Sequence, residues 1–338
     1  MQRKIIILLA TFVCAFCFCG AVSAATPINT NHTSTTKISN VALTKVNQAN
    51  PAVDGSRVVW EQLVSTNHSV IYEKNLASGY IGKVYSSKQN QYSPDISGTR
   101  IVWTQVASNG HSSIYERNLA SGFIGMVSSS TQNQNEPKIY GTIIVWSQYN
   151  GKTSAIYEKN LLTGHVAKVM ASTTNQNNPN IAGSRVVWVQ STKTGQTILE
   201  KNLGNGSILK VTSSTEALYY PVISGTRIVW QQNTSTNYAI FTKDLFTSTI
   251  KKVFPSAEAQ WTPAISANRI VWQQGGLDGV IYMKNLSTGV TSKIYSTNHA
   301  QFTPAIYGNL VVWSQENSAG NWYIYMKNLV TGKISRLT

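Results

Sequence analysis

Pro263-Ala264-Ile265-Ser266, Arg269-Ile270-Val271-Trp272-Gln273-Gln274, Ile281-Tyr282-Met283-Lys284-Asn285-Leu286 and Thr291 to Tyr295 read as four short strands. Ala267-Asn268, Gly275-Gly276 and Ser287-Thr288-Gly289 separate them, and these are turn residues between β-branched and aromatic runs. The runs are apolar on both faces, as expected of a sheet sandwiched between two others. Outward from this copy the same pattern returns six times. Its tryptophan recurs as Trp60, Trp103, Trp146, Trp188, Trp230, Trp272 and Trp313, with steps of 43, 43, 42, 42, 42 and 41 residues. Such a period, with four strand-like pieces per copy, predicts an all-β chain folded as a β-propeller. Seven copies predict seven blades of four antiparallel strands.

The pattern Pro-Ala-Ile-Ser, Arg-Ile-Val-Trp, Ile-Tyr-Met-Lys-Asn-Leu-Ser-Thr-Gly resembles the TolB-type, WD-like propeller repeat, and more closely the propeller repeats of methanogen cell-surface proteins. The resemblance implies a propeller over essentially the whole mature chain. It does not imply one function, because such propellers serve as adhesion modules, docking platforms and enzymes. Gln stands two residues after the Trp in every copy, where the family has an acidic residue, and the N-terminal domain of TolB itself is lacking.

The domain layout follows from composition. Residues 1–24 read as a signal peptide: Arg3 and Lys4, an apolar run from Ile5 to Val22, then Val22-Ser23-Ala24 as a small-residue cleavage site. Residues 25–42 read as a Ser/Thr/Asn-rich tether, and 43–338 as the propeller. Within this layout Ile38 to Lys45 resembles a fourth strand and is a candidate to lie beside the last blade. The expected location is secreted, extracellular or at the cell surface, with membrane association only if the leader stays uncleaved. Cys14, Cys17 and Cys19 all lie in the leader, so the mature chain has no disulfide framework or thiolate metal site.

Several residues recur with the repeat. Pro51, Pro94, Pro137, Pro179, Pro221, Pro263 and Pro304 are each expected to open an innermost strand. One glutamine follows each Trp by two. A second set, Gln48, Gln91, Gln134, Gln176, Gln260 and Gln301, stands three before the Pro, with Leu218 in the fifth copy. A group present in every blade most simply closes hydrogen bonds that every blade needs, while a ring of amides presented to a ligand is the alternative. Cations recur on the third strands (Lys74, Arg117, Lys159, Lys201, Lys243, Lys284, Lys327) and on the fourth, where they guard exposed edges. The formal net charge of +15 leaves room for an acidic polymer as partner. It is spread evenly around the repeats rather than gathered in a cleft, which argues against nucleic acid.

Catalytic signals are thin. Glu73, Glu116, Glu158 and Glu200 share one repeat position and fall in different blades, and His68 and His111 fall in equivalent loops of neighbouring blades. No catalytic residue, metal site or cofactor is predicted, and the chain is expected not to be an enzyme. The better pointers are positions where copies differ. Two before the Pro stand Ala49, Tyr92, Asn135, Asn177, Tyr219, Trp261 and Phe302. With Trp322 in a nearby loop, Tyr92, Tyr219, Trp261 and Phe302 concentrate aromatics on one sector, flanked by Gln260 and Gln301. These seven are the expected ligand-binding residues, and packing between loops is the competing account. The expected function is a non-catalytic binding or adhesion module for a glycan or acidic cell-envelope polymer. The alternatives are a surface-protein docking scaffold and a polysaccharide-processing enzyme.

Overall fold

The computed structural model describes residues 47–338 apart from 248. The expected signal peptide and tether, and the strand-like Ile38 to Lys45, lie outside the described residues. Each repeat delivers four antiparallel strands in chain order. The first strands are Asn47–Asp54, Asn90–Ser97, Asn133–Tyr140, Gln176–Ala182, Leu218–Ser224, Gln260–Ser266 and Gln301–Tyr307. The second strands carry the repeat tryptophans, and the fourth strands form the outer edges. Among the described residues there are 28 strands and no helix.

The strands form five four-stranded sheets and one of eight. In the larger sheet the first and last repeats are joined by a single parallel pair, Asn47 with Trp322. Each first strand packs on the first strand of the next repeat, and Gln301–Tyr307 packs on Asn47–Asp54, so the first strands close a ring.

The core lies between sheets rather than inside them. All seven repeat tryptophans are fully buried. A typical cluster combines Val102, Ile114 and Val127 of one repeat with Ile139, Ile144 and Trp146 of the next. A single repeat therefore cannot bury its own apolar surface, and stability comes from stacking neighbours. Within a sheet each tryptophan faces a third-strand residue. Trp146 lies 5.9 Å from Tyr157 and Trp230 lies 6.0 Å from Phe241, both stacked cross-strand pairs.

The prolines do not open their strands. Pro51, Pro94 and their counterparts sit inside the first strand, at a β-bulge where the register with the second strand breaks, as between Tyr92 and Asp95. The residue before each proline takes a left-handed conformation: Asn50, Ser93, Glu136, Asn178, Tyr220, Thr262 and Thr303 have φ between 46° and 57°. The bulge leaves the proline outside the ladder, where its missing N–H removes no hydrogen bond.

Two sets of side chains staple consecutive repeats. The first-strand glutamine Oε1 accepts the N–H of the middle third-strand isoleucine of the preceding repeat: Ile71 to Gln91 at 2.9 Å, Ile156 to Gln176 at 3.0 Å, Ile240 to Gln260 and Ile281 to Gln301 at 2.9 Å. Its Nε2 then donates to the glutamine two after the Trp, as Gln301 does to Gln315 at 3.1 Å. The third-strand cation donates to a backbone carbonyl in or just after the preceding fourth strand, as Lys201 does to Val169 at 2.6 Å and Lys243 to Val211 at 2.7 Å. Both staples also close the ring. Ile324 N donates to Gln48 Oε1 at 3.0 Å, and Lys74 Nζ reaches the Leu337 carbonyl. The third-strand cations are thus inter-repeat donors, whereas fourth-strand Lys83, Lys168, Lys210, Lys252, Lys293 and Arg336 are exposed, where edge lysines belong.

Candidate functional site

The repeats differ at the residues that flank each bulged proline. One after the proline stand Ala52, Asp95, Lys138 and Asn180 in the first four repeats, and Val222, Ala264 and Ala305 in the last three. Two before it the last three present Tyr219, Trp261 and Phe302, each half-buried. The position after the proline is therefore polar or charged in the second to fourth repeats and apolar in the others, while the position two before it is aromatic in each of the last three.

The aromatic sector is packed as well as exposed. The Trp261 ring lies 4.2 Å from Tyr238, which lies 6.1 Å from Tyr219, and these contacts tie the fifth repeat to the sixth. Phe302 stacks on Trp322 at 5.0 Å. Trp322 is only 5% exposed, because it pairs with Asn47 at the ring closure. It is a packing residue beneath Phe302, not a surface one. Tyr92 is half-buried in the second repeat. Gln260 and Gln301 are 1% and 0% exposed and committed to Ile240 and Ile281, so they are staples rather than amides offered to a ligand. Of the seven expected binding residues, Tyr219, Trp261 and Phe302 remain as a shared surface.

The polar sector holds carboxylates that burial keeps above their usual range. Glu61 accepts the Ser93 N–H at 2.5 Å, yet burial pushes its carboxyl up to about 7 against that bond and one from Asn50. Asp95 is raised by burial and partly restored by Lys138, whose Nζ lies 4.0 Å away, and by the Ile139 N–H at 2.8 Å. Glu136 is likewise raised by burial while accepting both Asn178 N at 2.9 Å and Asn178 Nδ2 at 3.0 Å. Each of these acids ties its repeat to the next, which is a structural use. His68 and His111 each bury an Nε2 with no partner, in separate repeats. Among the described residues no group of three or more His, Cys, Asp or Glu is placed to hold a metal ion.

Sequence comparison finds no relative: no protein-family model matches the chain, and no curated protein does. Solved structures do match. The β-propeller domain of the Trilobed protease from Pyrococcus furiosus superposes with a TM-score of 0.70 at 12% identity, over 87% of this chain and 98% of that one. A puromycin-hydrolyzing peptidase of Mycobacterium tuberculosis gives 0.69 at 12% identity, over 87% of this chain and 52% of that one. An acylaminoacyl peptidase of Pyrococcus horikoshii gives 0.66 at 11% identity, again over 87% and 52%. This chain thus spans about half the length of the two peptidases and nearly all of the isolated propeller domain. The glycan-binding adhesion module expected from the sequence is corrected by these findings, since these three propellers are those of peptidases, although an oligogalacturonate lyase also superposes with a TM-score of 0.59 at 11% identity, over 86% of this chain and 85% of that one. What the likeness shows for this chain is its fold, a β-propeller.

Proposed function

We propose that the chain is a seven-bladed, non-catalytic propeller that binds an extended polypeptide across the aromatic sector of its ring. The blade count rests on seven repeat tryptophans and on the first strands packing in a cycle that returns to Asn47–Asp54. The observation that carries the function is the half-buried row of Tyr219, Trp261 and Phe302, at a position where otherwise uniform repeats diverge. Apolar and aromatic side chains of a polypeptide fit such a row, since aromatic anchors supply most of the binding energy of small interfaces. The likeness to peptidase propellers supports a polypeptide as the partner. Membership among TolB-type repeats of the methanogen cell-surface kind, and export directed by residues 1–24, belong to the same proposal.

An array of random dodecapeptides probed with the full chain tests it. Binding should favour peptides with aromatic or large aliphatic residues, and Trp261→Ala should weaken it by about tenfold or more, in line with the roughly 1–3 kcal/mol lost when an anchor aromatic is removed. Retention of the same peptides at equal strength by the variant contradicts the reading.

A further inference from the structure

Across the repeats an arginine at the start of the second strand meets an acid on the third. Arg57 bonds Glu73 at 3.0 Å and Arg185 bonds Glu200 at 2.7 Å, while Arg100 pairs with Glu116. Where the acid is replaced, the arginine is redirected: with Thr242 at that position in the fifth repeat Arg227 bonds Asp244 two residues on at 2.7 Å, and with Met283 there in the sixth Arg269 donates to the Gly308 carbonyl and Asn309 Oδ1. In the seventh repeat both are apolar, Leu310 and Met326. The third repeat breaks the rule in the other direction. It keeps Glu158 but has Ile143 in the arginine's place.

A pocket of about 400 Å³ opens there, lined by Ile143, Glu158, Asn160, Thr163, His165 and Leu203. It lies at the opposite end of the strands from the aromatic sector, since Ile143 pairs with Asn160 whereas Tyr149 pairs with Ser154. The equivalent pocket one repeat earlier contains Arg100, Glu116 and Lys159 together. The third-repeat pocket is one cation short. Lys201 donates to the Val169 carbonyl at 2.6 Å just as its counterpart Lys159 does to the Val127 carbonyl, so the two pockets differ in the arginine, and no guanidinium pairs with Glu158.

We infer that this pocket binds a guanidinium group from outside the chain, which takes the place that the second-strand arginine fills in the neighbouring repeats. The planar two-oxygen face of Glu158 suits a guanidinium fork, and Ile143 and Leu203 give the plane apolar walls. Burial also raises the Glu158 carboxyl, with Lys201 and His165 offsetting part of that, and an incoming cation would offset more of it. The inference is independent of the polypeptide reading of the aromatic sector.

The test is calorimetric titration of the full chain at low ionic strength with acetyl-arginine amide, acetyl-citrulline amide, guanidinium chloride and an arginine-centred pentapeptide. The arginine probe should bind at least tenfold tighter than citrulline, which has the shape without the charge. Ile143→Arg, which rebuilds the internal pair of the other repeats, should abolish binding while keeping the melting temperature. Glu158→Gln should weaken binding at least tenfold and serves if Ile143→Arg fails to fold. Tighter binding of the pentapeptide than of guanidinium chloride assigns the group to a polypeptide, and equal binding assigns it to a small cation. Equal binding of arginine and citrulline, undiminished binding by both variants, or no saturable binding overturns the site.

Discussion

The indole of Trp188 isolates what a single hydrogen bond adds to an otherwise identical side chain. Trp313 donates to Gln315 at 3.0 Å and Trp146 to Gln148 at 3.2 Å, but Trp188 Nε1 is buried with no partner. Trp188→Ala should destabilise by about 3–5 kcal/mol, because it empties a fully buried site. Trp313→Phe should cost about 1 kcal/mol more than Trp188→Phe, since only the former breaks a hydrogen bond, while Gln315 Oε1 keeps the one from Gln301. Urea denaturation of the pair of phenylalanine variants checks this, and equal losses would show that the indole bond is energetically silent. Glu61 supplies a pH signature at the same scale. Its folded pKa of about 7 lies above the ordinary 4.5, so its contribution to stability is highest below 4.5 and is lost as pH rises toward 7. Full desolvation of that shift corresponds to about 3 kcal/mol, and the partial exposure of Glu61 reduces the expected loss to about 1–2 kcal/mol. Glu61→Gln should flatten the stability profile between pH 5 and 8. An unchanged slope would mean that other acids carry it.

Among the strands, the exception at Leu218 explains the rule. Where glutamine is replaced, the preceding fourth strand lengthens from the three residues seen in Ile81–Lys83 to the seven of Ile208–Ser214. Ile198 then pairs with Thr212 instead of a glutamine amide. A backbone N–H at that depth must be paired, and the chain meets the need by one device or the other. Gln260→Leu, made without a longer fourth strand, should strand the Ile240 N–H, cost about 1–3 kcal/mol and speed amide exchange at Ile240. Unaltered protection at Ile240 would contradict the staple. Much of this scale was legible beforehand. The tryptophans marked the buried second strand, and the twin glutamine sets marked a bond required in every blade. The bulge was not legible, because only Asn50 and Asn178 among the seven residues before the prolines advertise a left-handed conformation, and Thr262 or Tyr220 argue against it. The lone acid Glu158 was visible by setting Arg57, Arg100, Ile143 and Arg185 side by side, but its meaning needed the observed arginine–acid pairs.

For the whole molecule, the ring is held closed by the glutamine and cation staples that join other repeats, together with a parallel strand pair at the closure. Asn47 meets Trp322, Gln48 accepts Ile324 N at 3.0 Å and Thr338 Oγ1 at 2.8 Å, and Lys74 reaches Leu337. Removing Leu337 and Thr338 takes away two of these contacts and a buried core residue. The truncated chain should melt several degrees lower, with increased exchange in both the first and last repeats and little change in the fourth. Loss confined to the last repeat would mean that the ring is open in solution. The central claim, that the aromatic sector is the binding face, is tested most directly by hydrogen–deuterium exchange of the full chain with and without a saturating peptide from the array. Protection should appear in 218–224, 260–266 and 301–307 and leave the third-to-fourth-strand turns unchanged. Protection confined to those turns, or absent from the three first strands, would contradict the account.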